Sequence, residues 1–188
     1  MLDIRKHLET FSPMSDEDWI YFSSKLECVT FSKKELLIKK GQTENHLSFI
    51  EKGTVRMFTP REENDLTFGF VFQHQFVSAY DSFLTQTPCK YQIEALAETT
   101  VWRINHSDLN KIYKHTKIGN EIGRKNAESL FLIKSARELS LLELSAKERY
   151  EKLFSERPQL IKEIPLKYIA SYIGITPQAL SRIRSQIS

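Results

Sequence analysis

EIPLKYIASYIGITPQALSRIRSQIS, residues 163–188, is the stretch whose spacing decides how the chain is organised. Pro165 stands where a helix can begin, because the amide proton it lacks has no partner in a first helical turn. Ile169, Ala170 and Ile173 then share one apolar face, with Ala170 small where a second helix would cross. Gly174 ends the helix, since only glycine enters the left-handed conformation of a tight turn without steric cost. Ile175 returns to the core, and Thr176 with Pro177 supply an N-cap and a first residue for a second helix. Leu180 and Ile183 face inward on that helix, which leaves Gln178, Ser181, Arg182 and Arg184 outward.

A helix, a glycine turn and a polar, basic second helix form the geometry that enters the major groove of duplex DNA. Gln178 and Arg182 are the candidates for base contacts, since Gln pairs bidentately with adenine and Arg with guanine. Ser181, Arg184 and Lys167 suit phosphates, which position a protein without specifying sequence. Thr176 and Pro177 complete the candidate DNA-binding set by fixing where the second helix starts. The plainer reading is a helical hairpin with a solvated face.

Charge points the same way. Residues 1–108 hold twelve Lys/Arg against sixteen Asp/Glu, whereas residues 109–188 hold fifteen against eight, giving −4 and +7 within a net charge of +3. From Ile164 to Ser188 the charged side chains are Lys167, Arg182 and Arg184, with no acid among them. Such an asymmetry suggests that the C-terminal part meets a polyanion.

Upstream of this stretch the pattern changes twice. Residues 2–26 read as helical, with Ser15 and Asp18 as a capping signal and Trp19, Phe22 and Leu26 at helical spacing. From Cys28 to Asn105 short β-branched and aromatic runs alternate with turn-formers, among them HLSFIEK, TVRMFTP, DLTFGFVF and TTVWRIN. Gly53 falls where a tight reversal between two such runs needs it. Seven or eight strands at this spacing predict an antiparallel barrel or sandwich, interrupted by FVSAYDSFLTQTPCK, which holds a short helical turn and a loop. The aromatic residues of this region, Phe49, Phe58, Phe68, Phe70, Phe72, Phe76, Tyr80 and Phe83, read as core packing. Ser107 caps a short helix, and a proline-free helix then runs from about Lys117 to Leu142. Its apolar positions are Ile118, Ile122, Ala127, Leu130, Ile133, Ala136 and Leu139, broken by Asn126 and Ser129. Either that helix packs on its own domain or it pairs with a second copy, and its length favours pairing. Ser145 and Glu148 form a capping box for one more helix that ends before Pro158.

Several kinds of chemistry have no residues to stand on. At 188 residues, with 40% hydrophobic and 27% charged side chains, the composition is that of an ordinary globular protein. Cys28 and Cys89 are too few and too far apart for a cluster or a disulfide framework. The five histidines are scattered, so no metal site is expected, and no phosphate loop or catalytic set stands out, so the chain is not read as an enzyme. No apolar run approaches a membrane span, and the N-terminus lacks a signal peptide's core; residence in the cytoplasm and no membrane partner are expected.

Nearly the whole chain resembles the Crp/Fnr superfamily of bacterial transcription regulators. The resemblance is carried by IKKGQTENHLSFIEKGTVRMF, similar to that family's strand–Gly–strand–Gly signature, and by IASYIGITPQALSRIR, similar to its recognition unit. It implies an α+β fold: an N-terminal antiparallel β-roll resembling the cyclic-nucleotide-binding jelly roll, a long dimerisation helix and a C-terminal helix-turn-helix. The corresponding divisions are residues 1–116 (sensor), 117–142 (dimerisation helix) and 143–188 (DNA-binding). It also implies a homodimer on duplex DNA with half-sites about 34 Å apart, RNA polymerase as a further candidate partner, and an unknown small-molecule effector. Family members commonly add a hairpin wing after the recognition helix. The sequence runs only to Ser188, so some wing contacts are expected to be missing or replaced. The alternative is a regulatory module whose C-terminal helices contact protein rather than DNA.

One departure bears on the effector. Members that bind cyclic AMP carry a Gly-Glu pair before the short helix and an Arg-Ser or Arg-Thr pair after the loop. Here the effector-pocket positions are Ser78, Ala79 and Tyr80, then Cys89 and Lys90. Lys90 offers a point charge without a bidentate fork, so a cyclic-nucleotide cofactor is disfavoured and none is assigned.

Overall fold

A computed structural model describes residues 2–116 and 118–187. Lys117, where the long helix and the middle division were expected to begin, and Ser188 lie outside the described residues. The chain divides into two compact units: Met1–Met57 with Val71–Leu130, and Phe58–Phe70 with Phe131–Ser188.

The first unit opens with α1 (Leu2–Glu9) and α2 (Asp16–Ser23). The expected single helix is therefore two. Pro13 lies in the break and has no amide proton with which to continue a helix. Ser15 does cap α2, its hydroxyl accepting from the Asp18 N–H at 3.1 Å. Eight strands follow: β1 (Glu27–Phe31), β2 (Leu36–Ile38), β3 (His46–Lys52), β4 (Thr54–Thr59), β5 (Leu66–Phe72), β6 (Phe76–Val77), β7 (Gln92–Ala95) and β8 (Thr99–Asn105). They form two four-stranded sheets, ordered β1-β8-β3-β6 and β2-β7-β4-β5. β1 and β3 both pair antiparallel with β8, so that Val101 stands opposite Val29 on one side and Ile50 on the other.

Gly53 differs from its expected role. β3 and β4 lie in different sheets, so Gly53 is a corner between sheets rather than a hairpin reversal. Its φ is +102°, and a β-carbon there would stand 2.4 Å from Thr99 Oγ1 and 2.7 Å from the Glu98 carbonyl oxygen. The short helix α3 (Tyr80–Thr85) interrupts the strands as expected. α4 (His106–His115) is capped by Asn105, whose side chain accepts from the Asp108 N–H at 2.8 Å; the expected cap, Ser107, already lies inside the helix. Phe49, Phe83, Ile104, Leu109 and Ile112 are buried in one cluster with Ile4, Leu8 and Phe22. Phe58, Phe70 and Phe72 are buried too, in line with the core reading of the aromatics.

α5 (Gly119–Glu143) runs through both units. Its expected apolar stripe divides: Ile122 is buried in the first unit's core, while Ile133 and Leu139 are exposed beside Phe131, Leu132 and Leu142. The second unit continues with α6 (Ala146–Glu156), α7 (Pro158–Glu163), α8 (Leu166–Ile173) and α9 (Pro177–Ile187). The capping box before α6 is present in both directions, at 2.8 and 3.3 Å. α7 was not anticipated; Pro158 is its first residue rather than only the stop of α6. The tip of the β4–β5 hairpin belongs to this unit: Ser171 Oγ accepts from the Thr67 N–H at 2.8 Å and donates to the Asp65 carbonyl at 2.6 Å. Phe70 and Tyr172 set their rings 5.5 Å apart.

The two positive-φ glycines should separate in a denaturation experiment. Gly174→Ala is expected to cost about 1–2 kcal/mol, the left-handed penalty alone, because its nearest outside atom is Arg149 Nη2 at 3.8 Å. Gly53→Ala adds overlap with a backbone oxygen and should cost clearly more, read as a larger fall in urea midpoint at unchanged slope.

Candidate nucleic-acid interface and sensor pocket

α8 and α9 are joined by the turn the spacing predicted. Gly174 has φ +85°; its N–H bonds the Ser171 carbonyl at 3.1 Å and the Ile175 N–H bonds that of Ala170 at 3.0 Å. These two bonds close the helix end as a Schellman motif. Ile169, Ala170, Ile173 and Leu180 are buried, and Ile183 is half-buried. Thr176 Oγ1 accepts from the Ala179 N–H at 3.2 Å, so its hydroxyl serves as the cap of α9.

Gln178, Ser181 and Arg182 are exposed and fall, with Ser185, at i, i+3, i+4 and i+7 on one side of α9. Arg184 is exposed as well, but at about 100° per residue it sits roughly 110° around from the middle of that side. Lys167 and Pro177 are exposed, and the Lys167 ammonium lies 4.9 Å from the Tyr168 ring centre. The structure thus brings Gln178, Ser181 and Arg182 together on one side of α9, with Arg184 further around that helix and Lys167 on α8.

Three other arginines of the basic half are used internally. Arg137 Nη2 donates to the Tyr172 carbonyl at 2.6 Å, with its guanidinium 3.8 Å from the Tyr172 ring centre. Arg149 Nε donates to the Ile173 carbonyl at 3.0 Å, and its Nη1 donates to that of Leu144. Arg157 donates to the Tyr172 hydroxyl at 3.2 Å. Two of these bonds fall on carbonyls in the last turn of α8, which have no partner within the helix and carry its negative dipole end. Their charge counted toward the +7 but is already engaged.

In the first unit the five expected effector-pocket residues do not share one space. Ser78 donates to the His46 carbonyl at 2.9 Å and lines a cavity of about 10 Å³, room for roughly one water. Ala79, Tyr80, Cys89 and Lys90 do not line it. Cys89 is buried with its Sγ against the Tyr91 carbonyl at 3.1 Å, and Lys90 is exposed. The residue the sequence reading missed is Glu44. Its carboxylate is buried and accepts from the His46 N–H at 2.9 Å and the Ala79 N–H at 3.3 Å, while its own N–H donates to Ser82 Oγ at 3.0 Å. Glu44 thereby ties the loop before β3 to the start of α3. Burial pushes its carboxyl above the ordinary carboxylate value, against the lowering pull of those N–H groups and of Arg103. A lone Glu in a polar turn, QTEN, gave no local signal for this.

Among the described residues no three of His, Cys, Asp and Glu gather to hold a metal ion, and no helix is long and apolar enough to cross a membrane. Both cysteines are free thiols, Cys28 exposed and Cys89 buried.

Residues 28–116 match the family described as the cyclic nucleotide-binding domain. No curated protein matches the chain. Among solved structures, it is similar to the c-di-GMP-responsive global regulator CLP of Xanthomonas campestris, with a TM-score of 0.70 at 13% identity over 92% of this chain and 91% of that one. FixK2 of Bradyrhizobium japonicum superposes with a TM-score of 0.70 at 17% identity, over 86% of this chain and 84% of the other. A protein of the crp/fnr family from Eubacterium rectale gives 0.71 at 15% identity, over 93% and 83%. At such identities the likeness is one of fold: the chain has the α+β fold of Crp/Fnr transcription regulators, with a cyclic-nucleotide-binding domain within it.

Two measurements follow from the side chains above. Arg149→Ala should lower stability by about 2 kcal/mol by stranding helix-end carbonyls, whereas Arg182→Ala should leave it within about 0.5 kcal/mol. Glu44 should make stability depend on pH. Its folded value is raised, so below the ordinary value of 4.5 the carboxyl is neutral in both states and costs nothing. As pH rises through the higher folded value, the fold must carry a buried charge and loses stability. Glu44→Gln removes that loss. The variant's stability relative to the parent, measured by denaturation at pH 4.5 and 7.5, should therefore improve with pH.

Proposed function

We propose that the chain is a homodimeric, sequence-specific DNA-binding transcription regulator of the Crp/Fnr type. The observation that carries this reading is α9: capped by Thr176, anchored by Leu180, with Gln178, Ser181 and Arg182 exposed on one side and no acid in the stretch. In this reading Gln178 and Arg182 contact base edges, while Ser181, Arg184 and Lys167 contact phosphates. The position of Arg184 away from the outward side supports its assignment to the backbone.

Dimerisation runs through α5. Phe131, Leu132 and Leu142 are 70%, 66% and 77% exposed, and Leu132, Leu139 and Leu142 recur at i, i+7 and i+10. Such a stripe supports pairing with a second copy, which sets two α9 helices about one turn of DNA apart, roughly 34 Å. Functionally the chain then comprises a sensor at 1–116, a pairing helix at 117–142 and a DNA-binding part at 143–188. The reading assigns it no catalysis and a place among the DNA-associated proteins of the cytoplasm.

The sensor is proposed to have given up the cyclic nucleotide. Ala79 and Cys89 replace the glutamate and arginine that the family resemblance calls for, and the Ala79 N–H is already taken by the Glu44 carboxylate. A cyclic phosphate would have to displace the Glu44 side chain from that N–H and would find only the point charge of Lys90 nearby in sequence. Calorimetric titration with cyclic AMP and cyclic GMP should give no saturable heat at micromolar ligand.

The DNA reading is tested by selecting an operator from random duplexes and measuring affinity against salt. Arg182→Ala should relax preference at one base pair by about 1–3 kcal/mol. Arg184→Ala should weaken all duplexes alike and flatten the salt slope by about one unit for each phosphate it no longer neutralises. Leu132→Asp should yield monomers that lose specific binding. A parent protein that is monomeric at micromolar concentration, or whose DNA binding is indifferent to salt, would sink the proposal in favour of a module that contacts protein.

A further inference from the structure

We propose that the pocket between α1, α2, α4 and the first turns of α5 is a binding site for a small aromatic compound of one ring bearing a hydrogen-bonding group. The space measures about 40 Å³, against the roughly 10–15 Å³ that one water needs, so it is on the scale of a single ring. Its wall is mainly hydrocarbon, with Leu8, Phe22, Leu109, Ile112 and Ile122 contributing from four helices. The pocket is partly open to solvent and most of its wall offers water no partner, so an apolar ring gains by displacing water from it.

Of the four polar residues on the wall, Asp18, Tyr113, Thr116 and Asn126, two give the guest a handle. Tyr113 and Asn126 both line the cavity, and neither the phenol hydroxyl nor the side-chain amide has a hydrogen-bond partner in the chain among the described residues. Burial pushes the Tyr113 phenol up to about 12, so it presents an intact O–H. The close approach of α5 to α4 is what holds this wall in place. A β-carbon on Gly119 would meet the Ile112 carbonyl oxygen at 2.8 Å, and one on Gly123 would meet the Tyr113 ring at 2.9 Å. Glycine is disfavoured inside a helix relative to alanine, yet Gly123 stands there, and Gly119 begins the helix. The cavity shares no lining residue with the small space beside Ser78 and Glu44.

Binding here is independent of the DNA reading. What binding does rests on that reading: the guest would touch Ile122 and Gly123, on the same helix whose later turns carry the exposed apolar stripe. An occupant would bias one arrangement of that helix over another.

The test titrates the whole purified chain, without DNA, with phenol and with benzene by calorimetry. Phenol should bind saturably in the range of about 0.1–1 mM, roughly fivefold tighter than benzene, the factor expected of one hydrogen bond. Tyr113→Phe should reduce that preference. Ile122→Phe, which fills the space, should abolish binding of both. Because that variant is buried, Leu109→Ala provides the complement: it enlarges the cavity and should bind the two-ring probe indole more tightly than the parent does. The proposal fails if phenol shows no saturable binding to the parent and indole none to a folded Leu109→Ala. It fails equally if a folded Ile122→Phe still binds phenol. A chain that binds phenol here yet ignores DNA would sink the regulator reading and leave this one standing.

Discussion

The C-terminal end of α8 is the constraint on which the second unit depends. A helix that stops leaves its last carbonyls without partners, and α8 stops abruptly so that α9 can cross it. The left-handed Gly174 satisfies the Ala170 and Ser171 carbonyls through two turn N–H groups. Arg137 from α5 and Arg149 from α6 take those of Tyr172 and Ile173. The same contacts therefore finish one helix and attach it to two others. Ser171, one residue before Tyr172, receives the hairpin tip through the Thr67 N–H and the Asp65 carbonyl. A change at this helix end would be felt in α5, α6, the hairpin and the turn that aims α9.

The first unit solves the opposite problem with the opposite charge. At the start of α3 and the entry to β3 the unmatched groups are N–H donors, and a buried carboxylate, Glu44, collects two of them. An anion held by backbone N–H groups is the arrangement a bound phosphate would otherwise adopt. The chain supplies that anion itself, and burial raises the carboxyl's affinity for a proton. Such a site is fixed within the fold, and the proposed aromatic guest sits elsewhere, in the apolar pocket against α5.

The sequence carried the elements whose signals are local. Gly174, Thr176 and the Ser145–Glu148 box announced their helix ends because capping is a matter of three or four neighbouring residues. Strand alternation announced the β region for the same reason. What failed was non-local. Gly53 looked like a hairpin turn, but whether two strands join one sheet or two depends on partners far along the chain, Glu98 and Thr99 among them. Glu44 was invisible because its partners, Ala79 and Ser82, lie across a loop in space. The count of basic residues did not show that Arg137, Arg149 and Arg157 are hydrogen-bonded within the second unit. Charge in a sequence does not say whether a guanidinium faces solvent or a carbonyl.

Arg137, Arg149 and Arg157 are bound within the second unit, and the helix-turn-helix stretch from Ile164 carries three cations, Lys167, Arg182 and Arg184. Each phosphate neutralised contributes a roughly additive share to the salt-dependent part of DNA affinity, and three cations supply little of it. One copy would be a weak binder with a short reading surface. Two copies joined along the stripe of Leu132, Leu139 and Leu142 double both the contacts and the sequence read, and the second contact becomes intramolecular once the first is made. In the proposed regulator the exposed apolar face of α5 and the sparse charge of α9 would thus be two sides of one requirement, pairing through α5 supplying what α9 alone lacks.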